Sequence, residues 1–227
     1  MPTKTASSAA DWDKVEQLVK SNERELATMA DHLALRQWAT DNGLATKALF
    51  PKFKTVLLKR CDIDYGALRE QAHEAEREQL SEAAAAAPTV ELYAAGDDEA
   101  GTFAVCGPEG AVAWYGEFFD DDKTYTAGDQ TSADLSAARK AVFLAGKTRE
   151  ELDVDAINLT LHVLNHEVGP HNLSLAATRV RVVVTVEIDN ESPALEWCRE
   201  NGYKNWREQN LNHLVAPDTA ADESEVA

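Results

Sequence analysis

Apolar residues recur every three or four positions through the first eighty residues. Trp12, Val15, Leu18 and Val19 mark one helical stripe, Leu26, Met29, Leu33 and Trp38 mark another, and Gly43 follows as a stop, which predicts a helix pair. Pro51 then opens a helix carrying Phe53, Val56 and Leu57, and Asp64 caps a further one holding Leu68 and the charged residues 69–80. The alanine run 83–87 extends that helix, and Pro88 ends it.

Beyond Pro88 the period changes to that of extended chain. Residues 90–94, 102–107 and 111–119 are short runs rich in Val, Phe, Tyr and Trp, split by glycine-bearing turns at 96–101 and 107–110. They predict a three-strand antiparallel meander. Leu135, Ala138, Val142 and Ala145 return to helical spacing, with Gly146 as the stop. Strands follow at 157–164 and 180–188 with a short helix between them, and Ser192-Pro193 starts a last helix that Gly202 ends. The expected class is α+β: a helical domain at 1–87, a mixed-sheet domain at 88–211, and a loose acidic tail at 212–227.

Composition narrows the function classes. No run reaches the roughly 18 apolar residues of a membrane-spanning helix, and the N-terminus lacks the apolar centre of a secretory signal. Cys61, Cys106 and Cys198 are odd in number and far apart, so reduced, mostly buried thiols in a cytoplasmic protein are expected. No glycine-rich phosphate loop or serine elbow is present, which argues against nucleotide-cofactor enzymes.

Charge is unevenly spread. Residues 1–87 hold 12 Lys+Arg against 14 Asp+Glu, a balance of −2, whereas residues 88–227 hold 10 against 26, a balance of −16. The second part therefore repels phosphate backbones. Nucleic acid, if it binds, meets the acid-free stretch 47–60, where Lys47, Lys52, Lys54, Lys59 and Arg60 interleave with Phe50, Phe53 and Leu57. The competing assignment is a solvated helix face over a small core.

The order of elements after Pro88 resembles the ribonuclease H-like superfamily. The strand 90–97, Val-Glu-Leu-Tyr-Ala-Ala-Gly-Asp, is similar to the family's first strand, the helix start Ser132-Ala133-Asp134-Leu135 to its acid-Leu pair, and residues 159–165 to a strand that ends there in Asp-Ser. The resemblance covers about residues 89–202. It implies a cluster of carboxylates holding two divalent cations, Mg or Mn. Carried over, the family's first acid falls on Ala95, the helix acid on Asp134, the third on Leu164 or Asn165, and the last on Asp189 or Glu191.

Two ligands of four are thereby replaced. Asp97, Asp98 and Glu167 lie nearby, but two residues of displacement move a carboxylate about 6–7 Å along a strand. The resemblance therefore implies a catalytically degenerate, nucleic-acid-associated binding or regulatory protein with no cofactor. Its alternatives are a Mg- or Mn-dependent nuclease using Asp97, Asp98, Asp134 and Asp189, and an acidic interaction module for a basic protein partner. His162, His166, Glu167 and His171 include three imidazoles and a carboxylate within ten residues, yet their spacing matches no zinc motif, and ordinary loop residues are expected.

Overall fold

The computed structural model describes residues 6–216, an α+β protein in two compact units that divide between Glu76 and Arg77. The division falls twelve residues before Pro88, inside a helix, because that helix's last turns pack on the sheet unit rather than on the helices before them.

The first unit is helical: α1 (Ala6–Ser21), α2 (Glu23–Leu26), α3 (His32–Asp41), α4 (Phe50–Cys61) and the greater part of α5 (Tyr65–Ala84). Its core gathers Val15, Val19, Leu26, Leu35, Trp38, Phe53 and Leu57, with Trp38 and Phe53 stacked at 5.7 Å. The stripe from Leu26 to Trp38 is broken rather than continuous. Asp31 accepts hydrogen bonds from the backbone N–H groups of Leu33 and Ala34 and starts α3 afresh, so the phase resets and Leu33 is exposed. Asp64 caps α5 as expected, accepting from Gly66 N and Ala67 N at 2.8 and 3.1 Å.

The second unit is a five-stranded sheet with helices: β1 (Thr89–Asp97), β2 (Thr102–Cys106), β3 (Val112–Glu117), α6 (Gln130–Glu151), β4 (Ile157–Val163), α7 (Pro170–Val180), β5 (Val182–Ile188) and α8 (Pro193–Cys198). The spatial order is β3-β2-β1-β4-β5. β1, β2 and β3 form the antiparallel meander, and β4 and β5 run parallel to β1. Leu92, Leu159, Leu161 and Phe103 pack with the alanines of α6 and with Leu173 of α7. The opposite face is only partly covered, where Ala194 and Cys198 of α8 meet Ala95, Ala104 and Cys106.

Two glycines govern how closely helix and sheet approach. A Cβ built on Gly96 would stand 2.4 Å from the Ala133 carbonyl carbon, so β1 touches the first turn of α6 only because no side chain intervenes. Gly146 does not stop α6, which runs on to Glu151. A Cβ there would lie 2.7 Å from Val180 Cβ, so this glycine serves close packing with α7.

The end of the described chain is also tied down. Residues 211–214 form a 3-10 turn, Leu214 is buried with the core, Val215 bridges Val90, and Ala216 N donates to Thr89 O at 2.8 Å. The loose tail expected from 212 therefore does not begin there, because Leu214 and Val215 have apolar surface to cover. Residues 217–227 lie outside the described residues.

The long connection from β3 to α6 is held by one carboxylate. Asp122 Oδ1 accepts from the Thr124 and Tyr125 backbones, while Oδ2 accepts from Lys140 Nζ at 2.5 Å and Ser136 Oγ at 2.6 Å. Both partners of the ion pair are about nine-tenths shielded from solvent. Burial pushes the Asp122 carboxyl up, but hydrogen bonds from Lys140, Ser136 and Thr124 outweigh it and hold the group well below the usual carboxylate range.

Candidate functional site

The site is built where β1 and β4 end beside the first two turns of α6. Asp129 caps α6 through Ser132 N, and the helical spacing then places Gln130 and Asp134 one turn apart on the face towards the sheet. Asp134 is 4% exposed. Its Oδ1 accepts from Gly96 N at 3.1 Å, and its Oδ2 from Gln130 Nε2 at 3.0 Å and Asn165 Nδ2 at 3.2 Å. A shell of neutral amides thus encloses the carboxylate.

The amides are themselves fixed. Gln130 Nε2 also donates to Gly96 O at 2.8 Å, and its Oε1 accepts from Asp98 N at 3.3 Å. Asn165 Oδ1 accepts from Glu167 N, and Thr131 Oγ1 donates to Glu167 Oε2 at 2.9 Å. Such a network stabilises a buried negative charge without a counter-ion, since each N–H supplies part of the missing solvation.

Of the four carried-over positions, the structure brings Asp134 and Asn165 together here, whereas Ala95 belongs to the opposite face of the sheet, among Ala104, Cys106, Ala194 and Cys198. Ala95 is fully buried and offers only its carbonyl, which accepts from Cys198 Sγ–H at 3.2 Å. Asn165 presents its N–H group to Asp134, so it is a donor where a cation needs an electron pair. These residues do not fit a two-cation centre, because Asp134 would have to shed two amide bonds and Ala95 supplies no second carboxylate.

The displaced acids serve their own turns. Asp97 Oδ1 accepts from Glu99 N and Ala100 N and shapes the β1–β2 connection, and Asp189 Oδ1 accepts from Glu191 N. Among the described residues, no group of three or more His, Cys, Asp or Glu side chains is arranged to hold a metal ion. That covers both Asp97, Asp98, Asp134 and Asp189, and the cluster His162, His166, Glu167 and His171. His162 alone of the latter lies within β4. Its ring stacks on Tyr93 at 4.4 Å, with Nε2 3.3 Å from Glu91 and Nδ1 3.7 Å from Glu187. β4 ends at Val163, so His166 and His171 leave the strand's register and stand exposed.

Cys106 and Cys198 are inert by environment. Burial pushes both thiols up to about 12, so neither supplies a thiolate at neutral pH.

In the helical unit, the basic stretch divides. Lys52 pairs with Asp11 at 2.6 Å and Arg60 with Glu16 at 2.7 Å, both on α1, while Lys47, Lys54 and Lys59 stand exposed. Lys54 and Arg36 lie 5.9 and 5.6 Å from the Phe50 ring. Phe53 and Leu57 are fully buried, so they are core residues and not stacking platforms.

Sequence reasoning missed Gln130, although its i,i+4 spacing from Asp134 was readable. It also missed the Asp122–Lys140 pair, which joins a loop to a helix across 18 residues and leaves no local pattern. The chain matches no protein family model, no curated protein and no solved structure. No helix among the described residues is long and apolar enough to cross a membrane.

Proposed function

We propose that the chain is a nucleic-acid-associated binding or regulatory protein whose second unit is a catalytically degenerate ribonuclease H-like domain. The sheet order β3-β2-β1-β4-β5 supports the domain assignment, with a meander first, two parallel strands after it, and an acid-bearing helix entering beside β1. The loss of catalysis rests on one observation. Asp134 accepts from three amide N–H groups, those of Gly96, Gln130 and Asn165, so the position that would hold cations holds amide hydrogens. The chemistry left to such a domain is binding.

Lys47, Lys54 and Lys59 meet the phosphates in this reading, since Lys52 and Arg60 are occupied by α1. Two measurements test it. Incubation with an RNA–DNA hybrid and manganese should give no cleavage above background, and cleavage that Asp134→Ala abolishes would overturn the loss of catalysis. Binding of a labelled oligonucleotide should weaken with salt, and Lys47→Glu/Lys54→Glu/Lys59→Glu should flatten the log–log salt slope by about 0.7–0.9 for each phosphate no longer neutralised. Unchanged affinity in that variant would rule out residues 47–60 as the binding surface.

A further inference from the structure

The edge strand β3 carries an open groove of about 560 Å³, lined by Trp114, Phe118, Phe119 and Tyr203 and rimmed by Glu117 and Asp120. A second cavity of about 340 Å³ shares Trp114 and Phe119 and continues over Phe143 and Trp206. Phe119 is 55% exposed and Tyr203 77% exposed, so large aromatic faces are left to solvent along one edge. Isolated apolar residues at a surface need no explanation, but six aromatic residues around one groove, interleaved with polar ones, do.

Three rings that line the groove, Phe103, Phe118 and Phe119, and Trp206 of the second cavity already face cations of the chain itself. Lys140 Nζ sits 4.7 Å from the Phe103 centroid, 5.0 Å from Phe118 and 5.6 Å from Phe119, and the Arg207 guanidinium lies 4.7 Å over Trp206. Their negative π-faces are therefore arranged for positive charge. Acids reinforce the preference: Glu117, Asp120 and Asp121 are all exposed within five residues. The cations that line the two cavities have partners of their own: Lys204 Nζ donates to Val112 O at 2.5 Å and Gln209 Oε1 at 3.0 Å, Lys140 to Asp122, and Arg139 to Thr124 Oγ1 at 2.6 Å.

We propose that this groove binds an arginine-bearing segment of a basic protein partner. The guanidinium stacks on Trp114 and Phe119 and pairs with Glu117 or Asp120. Arginine fits better than lysine because its planar, weakly hydrated head both stacks and forks onto a carboxylate. A nucleic acid is disfavoured at this place, since stacking its bases would bring phosphates against three carboxylates within a region of net charge −16. The inference is independent of the basic stretch 47–60 and of the fate of Asp134.

The test uses the full-length chain with an octa-arginine peptide, an octa-lysine peptide and a single-stranded oligonucleotide as probes. Nuclear magnetic resonance shifts on adding octa-arginine should concentrate at residues 112–120 and 203–207, including the Trp114 and Trp206 indole N–H signals. Phe119→Ala/Tyr203→Ala, which changes no charge, should weaken octa-arginine binding about tenfold, and octa-lysine should bind more weakly than octa-arginine. Glu117→Gln/Asp120→Asn keeps the aromatic lining and should also weaken it, which covers the case where the first variant is unstable. Shifts spread over the whole acidic surface, with affinity indifferent to Phe119 and Tyr203, would reduce the effect to diffuse charge attraction and overturn the proposal. So would an oligonucleotide that shifts the same signals while octa-arginine does not.

Discussion

Asp122 accepts four hydrogen bonds through its two oxygens. One carboxylate satisfies a buried ammonium, a hydroxyl and two backbone N–H groups, and so pins the β3–α6 connection to α6. Asp122→Asn leaves the Lys140 ammonium buried without its counter-charge and should cost about 3 kcal/mol at pH 7, measured by urea unfolding. The pH dependence follows from the direction of the shift. The folded carboxyl titrates below its unfolded value of about 3.9, so its contribution is complete above that value and is lost as pH falls towards the folded one. The stability gap between wild type and variant should thus be flat between about pH 5 and 7 and narrow below about pH 4.

At the scale of elements, the approach of β1 to α6 rests on Gly96. Gly96→Ala forces a methyl group into the Ala133 backbone and disturbs the Gly96 N–Asp134 bond, so a loss of about 3 kcal/mol is expected. Calorimetry should show the transition about 10 °C lower, and an unchanged midpoint would mean that β1 and α6 can separate without cost. The strands themselves were legible in the sequence, because alternation and glycine turns are local signals. The break at Asp31 and the continuation through Gly146 were not. A cap and a close helix approach depend on what lies opposite, and spacing alone does not encode it. The site divides in the same way: the family resemblance pointed to Asp134 and to Leu164 or Asn165, whereas the inward donation from Asn165 and Gln130, and the placing of Ala95 on the opposite face, are properties of the packed helix and sheet.

For the whole molecule, the boundary inside α5 has a measurable meaning. Leu80 and Ala84 bury against Ala156, and Asn158 Nδ2 donates to Ala84 O and Ala87 O, so the last turns of α5 belong to the sheet unit. A fragment of residues 77–216 should unfold cooperatively. One of residues 89–211 loses that cover and also Leu214, and should be less stable by at least about 3 kcal/mol in urea. Equal stability of the two fragments would place the boundary at Pro88 after all.

The stitch between the first strand and the last described residues bears on the order of assembly during synthesis. On the edge of β1 that faces β2, pairing with β2 starts only at Tyr93, and the earlier positions Thr89 and Val90 are met there by Ala216 and Val215, more than 120 residues later. The helical unit needs nothing beyond Glu76 and can close while the chain is still growing. The sheet unit reaches its final form only after residue 216 has been made, since Leu214, Val215 and Ala216 complete its core and its first strand. Until then it waits with the start of β1 open on one side, and while residues 77–216 are being made the nascent chain carries one unit finished and the other incomplete.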